Sequence, residues 1–278
     1  MKINNIIKSM TGFAGIVCAA ACISSCSLFA LDNYAAPAET IKGSVFDVAT
    51  GEPVLTEQNS NGIRVRLTEL SYGENVEHNP DFYCKEDGTY QNTKIFKGNY
   101  NIRIDGPFIP LYREDQDGNL IEDCTVTTDI KGTCQVDFQV QPFLKVEFVS
   151  EPSVSDGQIT AKIKVTRATS VADFKAKVEP MGGYEDYFTN VTDVKLLVSY
   201  SSTVNNSNKH EPWCTTVEYT GNAFESQLGK TLTLKSQGSI LSGSKVFVRA
   251  AARINYDTPA GSGTRRYNFS EVKEVYIP

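Results

Sequence analysis

The chemistry-bearing side chains of this 278-residue chain are few: two histidines, seven cysteines and one tryptophan. His210-Glu211-Pro212-Trp213-Cys214 opens like a His-Glu-x-x-His zinc site, in which two imidazoles one helical turn apart hold the metal. Cys214 stands where the second imidazole belongs, and Pro212 breaks the helix such a site needs. A Ser-His-Asp triad would have to use His78 or His210, and no G-x-S-x-G elbow accompanies either. Both read as exposed loop histidines. Glu114, Asp115, Asp117, Glu122 and Asp123 supply carboxylates for glycosidase-type acid–base work. None lies in the apolar setting that raises a carboxyl pKa, so they read as solvated loop charges. Asp115-Gln116-Asp117-Gly118-Asn119 spaces two carboxylates and an amide as an oxygen cage for a hard cation would. Its glycine is fourth instead of sixth and its twelfth position is Val126, so an Asp-Gly turn is expected. No metal, cofactor or catalytic residue is expected, and the chain reads as a non-enzyme.

The remaining lead is aromatic. A sugar ring offers an apolar C–H face, so its sites combine an aromatic platform with carboxylate or amide partners. Met181-Gly182-Gly183-Tyr184-Glu185-Asp186-Tyr187-Phe188 sets Tyr184 and Tyr187 beside Glu185 and Asp186 on a glycine-hinged loop. A polar stretch from Asn205 to Glu211 leads into Trp213. Trp213, Tyr184, Tyr187, Glu185 and Asp186 are the candidate ligand-binding residues. The competing reading buries Trp213 inside the fold and packs the Tyr184 loop against it.

The N-terminus is an address. Lys2 and Lys8 precede an apolar stretch from Gly12 to Ile23, the layout of a signal peptide over residues 1–25. It ends Ile23-Ser24-Ser25-Cys26, which resembles the bacterial lipobox. That resemblance implies cleavage before Cys26, lipid on its sulfur, a tether over residues 26–37 and attachment to the outer membrane. The competing reading is a soluble secreted protein cut at a nearby Ala or Ser. The neutral run Ser27-Leu28-Phe29-Ala30-Leu31 leaves the membrane face open. A formal charge of -6 argues against nucleic acid as a partner. An oxidising envelope permits disulfides. Cys124 and Cys134 flank Asp129-Ile130-Lys131-Gly132, a plausible hairpin turn, and are the favoured pair. Free thiols are the equal alternative.

Beyond residue 38 the apolar period is two. Ile63, Val65 and Leu67 alternate with polar residues, as do Tyr100, Ile102 and Ile104. Asp87-Gly88 reads as a hairpin turn, and Thr50-Gly51-Glu52-Pro53 as a second turn. Residues 106–135 read as polar and loop-rich. Gln141-Pro142 marks a boundary between domains at 38–141 and 142–278, since proline interrupts a ladder. The second half holds about seven strand patterns, including Leu144-Val146-Phe148, Ile159 to Val165 and Val194-Leu196-Val198-Tyr200. The expectation is all-β: two β-sandwiches in tandem after a lipoprotein signal peptide.

These patterns carry three resemblances. Ile41 to Val45, Thr50 to Val54, Gly62 to Leu67, Asp87 to Tyr90 and Gly98 to Tyr100 together look like a carboxypeptidase regulatory-like domain. That name implies a non-catalytic β-sandwich. Lys245 to Ala251 with Tyr267 to Val272 resembles the last strands of a fibronectin type III domain. Taken whole, from Asp32-Asn33-Tyr34-Ala35-Ala36-Pro37 through Asn92 to Gly98 and on to Ile277-Pro278, the chain resembles a family of uncharacterised Bacteroidetes lipoproteins. Genes for that family typically lie beside SusC/SusD-type glycan-uptake genes. The resemblance implies a glycan-binding accessory. The alternative is a scaffold that docks on the SusC/SusD-type transporter and binds no polysaccharide.

Overall fold

The computed structural model describes residues 35–71, 81–258 and 264–278; Cys26, His78 and the signal segment lie outside them. Ten strands make the first half: β1 (Glu39–Asp47), β2 (Arg64–Glu69), β3 (Phe82–Tyr83), β4 (Thr89–Ile95), β5 (Gly98–Asp105), β6 (Tyr112–Glu114), β7 (Leu120–Asp123), β8 (Val126–Ile130), β9 (Thr133–Gln135) and β10 (Phe138–Val140). The alternation in β1 buries Ile41 and Val45 and turns Lys42 outward. Gly43 lies between them because nothing larger fits. A Cβ there would stand 1.7 Å from the Val136 carbonyl oxygen and 2.7 Å from the Tyr90 hydroxyl. The Tyr90 hydroxyl donates to that same carbonyl at 2.5 Å.

One sheet gathers β4, β9 and β10 around β1, and the other runs β3-β2-β5-β8. Ile41, Val45, Val65, Leu67, Ile102, Ile104 and Phe138 belong to their shared core. Three sequence expectations need correction. Residues 106–135 are not simply loop, since they form β6 to β9. Their apolar signal is weak because β7 is exposed along its whole length. No hairpin forms across Asp129 to Gly132, because β8 pairs with β5 while β9 pairs with β1. Asp87-Gly88 does form a tight turn, with Gly88 at φ +80, but the strands on either side part into different sheets.

The second half contains β11 (Leu144–Phe148), β12 (Ser153–Ser155), β13 (Gln158–Arg167), β14 (Val191–Ser199), β15 (Thr215–Glu218), β16 (Thr231–Lys235), β17 (Lys245–Ile254) and β18 (Asn268–Tyr276). β11, β12 and β16 all pair antiparallel with β13, and the second sheet runs β15-β14-β17-β18. Inward residues of both sheets form one core, among them Val146, Ile163, Leu196, Leu234 and Val248. The all-β expectation holds. One short helix that the period-two reading passed over, α1 (Val171–Val178), follows β13. Ser170 caps it by accepting from the Asp173 amide.

Ala38–Pro278 forms one compact unit, and the two halves are stitched by polar contacts. Arg249 of β17 is 1% exposed. It donates to the carbonyls of Thr56 (2.8 Å), Glu86 (3.3 Å) and Ser270 (2.8 Å). Burial pushes its guanidinium down to about 10, still charged at neutral pH. Asn268 donates to the Pro107 carbonyl at 3.1 Å and accepts from the Leu144 amide at 3.2 Å. Leu55 packs beside Leu197, Val204, Tyr267 and Phe269 at the same seam.

Candidate functional site

Trp213 lies on a single 3-10 turn, Glu211–Trp213, with Pro212 in its opening positions. Its side chain is buried within the second core at 8% exposure, so Trp213 is not an open platform. It serves as the base for two exposed rings. His210 stands 4.0 Å from it and Tyr200 5.0 Å, centroid to centroid. Tyr200 is 56% exposed. The period-two pattern had set Tyr200 inward with Val198, but β14 ends at Ser199 and the chain bends there.

The loop that carries these rings is closely tied. His210 donates its amide to Val198 at 2.7 Å, and Ser199 donates its hydroxyl to the Asn208 carbonyl at 2.8 Å. Asn205 Oδ1 accepts from the amides of Ser207 and Asn208. The Cys214 thiol donates to the His210 carbonyl. Lys209 and Glu211, paired at 2.9 Å, flank His210 in sequence. The surface therefore offers two rings on a fixed aromatic base with a charged pair alongside, the combination that suits a C–H face bordered by hydroxyls. Only Trp213 of this cluster was legible as a candidate. Tyr200 is masked in the sequence because it continues the alternation of Val194, Leu196 and Val198.

The Tyr184 loop forms a second, separate aromatic cluster. Gly182 and Gly183 turn the chain at φ +84 and +68. Tyr184 packs against Phe174 and Phe188, with Lys175 over its ring at 5.1 Å, and burial raises its phenol pKa. Tyr187 is half exposed and meets Phe188 edge-on at 5.2 Å. Glu185 and Asp186 reach solvent, with Asp186 3.7 Å from Lys175. The contacts of this cluster run to Tyr256 and the core, those of Trp213 to Tyr200 and His210.

The remaining candidates take structural places. Cys124 and Cys134 are unbridged, as are Cys84 and Cys214. The expected pair fails because Cys124 follows β7 while Cys134 lies in β9 against β1, so the two never face each other across a ladder. The Asp115 carboxylate accepts from the amides of Asp117 and Asn119 and from the Asn119 side chain. Those bonds close the β6–β7 hairpin and hold its pKa below the usual carboxylate range.

Residues 39–141 match the family model described as "Protein of unknown function (DUF3823) N-terminal domain". A crystal structure of a DUF3823 family protein from Bacteroides uniformis ATCC 8492 is 61% identical. It superposes with a TM-score of 0.84 over 87% of this chain and all of the other. The chain belongs to the DUF3823 family. Two more distant structures share its fold over 87% of this chain and 100% of theirs, each with a TM-score of 0.59. One, 19% identical, is a B. uniformis ATCC 8492 protein proposed to bind carbohydrate; the other, 16% identical, is a DUF3823 family protein from Parabacteroides merdae ATCC 43184. Among curated proteins there is no match to the chain.

Proposed function

We propose that this chain is a non-catalytic lipoprotein, held at the outer membrane through lipid on Cys26, that binds glycan as an accessory to a SusC/SusD-type uptake system. The observation that carries the sugar-binding part is the exposed pair Tyr200 and His210 standing on buried Trp213. Such a surface is formed before any ligand arrives, so little ordering cost opposes binding. The fold shared with a protein proposed to bind carbohydrate agrees with this reading. The membrane anchor rests on the lipobox-like Ile23-Ser24-Ser25-Cys26.

Affinity electrophoresis of the chain against plant and host polysaccharides tests the binding. Retardation by one polymer, lost in Tyr200→Ala, supports it. No retardation across the panel overturns it in favour of a scaffold that binds the transporter. Metabolic labelling with a fatty-acid analogue, compared between wild type and Cys26→Ala, tests the anchor.

A further inference from the structure

The outer face of the sheet built on β13, opposite the second core, carries a row of charge apart from the aromatic surface. Val146, Ile163 and Leu234 turn into that core, so alternate residues of the same strands turn out. Five of these are charged: Lys145 and Glu147 of β11, Lys162 and Lys164 of β13, and Lys235 of β16. Threonines hold most of the outward positions that remain, and none of those positions in the three strands is apolar. Val149, just past β11, borders the row at 48% exposure.

Strand register sets the lysines in a line. Lys162 and Lys164 are alternate residues of one strand, about 7 Å apart. Lys162 lies opposite Thr233 and Lys164 opposite Glu147. Lys235 is therefore the diagonal neighbour of Lys162, and Lys145 that of Lys164, each at roughly 7–8 Å. Four ammoniums thus step from the level of Thr160 to that of Thr166, a run of about 20 Å across three strands. Glu147 is the one carboxylate in the line, held by Lys164 at 2.5 Å and Lys145 at 3.3 Å. Lys162 and Lys235 are exposed, and no ion pair engages either among the described residues. The cations at the seam between the halves differ. Arg253 is held by Asp193 at 2.7 Å, and Lys195 donates to Asn206 Oδ1 at 2.9 Å. Glu57 beside them is buried, its Oε2 accepting from Asn59 Nδ2 at 3.1 Å and from the Asn206 amide at 3.2 Å.

The row is a local excess of positive charge in a chain of formal charge -6. Its spacing suits a partner with anions repeated at intervals. An anionic lipid surface is one such partner, but interfacial binding buries apolar side chains beneath the basic ones, and the outward strand positions here supply none. Threonine hydroxyls between the lysines instead donate to and accept from other hydroxyls. We infer that this face binds a single chain of an acidic polysaccharide, its carboxylates or sulfates spaced along the line Lys235-Lys162-Lys164-Lys145. That the polymer is a polysaccharide rests on the sugar-binding reading; the preference for anions rests on the lysines. Each exposed ammonium contributes little alone. The screening length at physiological salt, about 8 Å, is close to the lysine spacing, so binding depends on the whole row and weakens with salt.

The test is interferometry of the whole chain on immobilised polygalacturonate, alginate, chondroitin sulfate and neutral dextran, with vesicles of anionic phospholipid alongside. At least one acidic polysaccharide is expected to bind, about tenfold more weakly at 200 than at 50 mM salt. The double variant Lys162→Glu with Lys235→Glu should lose that binding with its thermal midpoint unchanged, since both side chains are exposed. Glu147→Gln, which removes the carboxylate from the line, should tighten it about threefold. Lys94→Glu with Lys131→Glu, an equal change of charge at exposed lysines of the first half, should leave it unchanged. Equal loss in that control, full binding in the Lys162 and Lys235 double variant, or binding to vesicles and to no acidic polysaccharide would overturn the proposal. Dextran binding that is lost in Tyr200→Ala, with no acidic polymer bound, would leave the sugar-binding reading standing and overturn this one.

Discussion

Arg249 reaches 193 residues back along the chain to donate to the main-chain carbonyl of Thr56. With the Glu86 and Ser270 carbonyls it gives one buried guanidinium three backbone acceptors drawn from both halves. Arg249→Met keeps the length of the side chain and removes all three bonds, although the Glu86 carbonyl keeps the Thr56 amide as a donor at 3.1 Å. The expected loss is about 3 kcal/mol, read from urea unfolding monitored by tryptophan fluorescence. A loss near zero would mean that the halves are joined mainly by apolar packing at Leu55 and Phe269.

Gly43→Ala should be more damaging than its size suggests. The added carbon would overlap the Val136 carbonyl, and both this carbonyl and the Tyr90 ring are fixed in the first core. A destabilisation of about 3 kcal/mol or more is expected, visible as a lower thermal midpoint by circular dichroism. Thr40→Ala, in the same strand but half-buried, serves as the comparison.

Tyr200→Ala removes a half-exposed ring from a loop whose backbone is held by other bonds. Stability should change by about 0.5 kcal/mol or less. Polysaccharide retardation should fall sharply in the same variant. A large change in stability would show that the ring acts as packing.

Glu57 predicts a pH dependence with a definite sign. Burial raises its folded pKa above the unfolded value. Between those two values the native state binds more protons than the unfolded state, so stability falls as pH rises through that window. Glu57→Gln should flatten this fall: the two proteins converge in acid below the unfolded pKa, and the variant gains as pH rises. Thermal midpoints from acid to neutral pH check it. A variant less stable than wild type at neutral pH would mean that the Asn59 and Asn206 bonds outweigh burial.

The four described cysteines should differ in reactivity. Cys124 is exposed and Cys134 half-buried, while Cys84 is fully buried, with its thiol pushed up to about 12 by burial. A disulfide-exchange reagent at neutral pH should modify Cys124 first and leave Cys84 untouched until denaturant is added. Cys84 labelling in the native state would show local opening beside β3.

The strands were legible wherever one face is buried and the other wet. Ile63-Val65-Leu67 and Ile159 to Val165 announce themselves because solvent enforces the alternation. β7 did not, since neither of its faces is buried and no period is imposed on it. α1 was missed for a related reason: it buries only Phe174 and Val178, and the Ser170-Asp173 cap was its one clear mark. At the site, Trp213 drew notice by its rarity, whereas Tyr200 depended on where β14 stops. Glu57 could not have been found from sequence at all. What distinguishes it is an unpaired oxygen between two halves, and that exists only once residues 57 and 206 meet.

The clasp at Arg249 is one-sided. On the second half it demands a guanidinium, but on the first it uses main-chain oxygens of Thr56 and Glu86, which almost any residue at those positions would present. The three Arg249 bonds therefore ask nothing of the side chains at 56 and 86, whereas Glu57 and Asn59 meet the second half through their own side chains. Divergence at this clasp is unequal in consequence: position 249 is held by its chemistry, positions 56 and 86 by the path of their backbone.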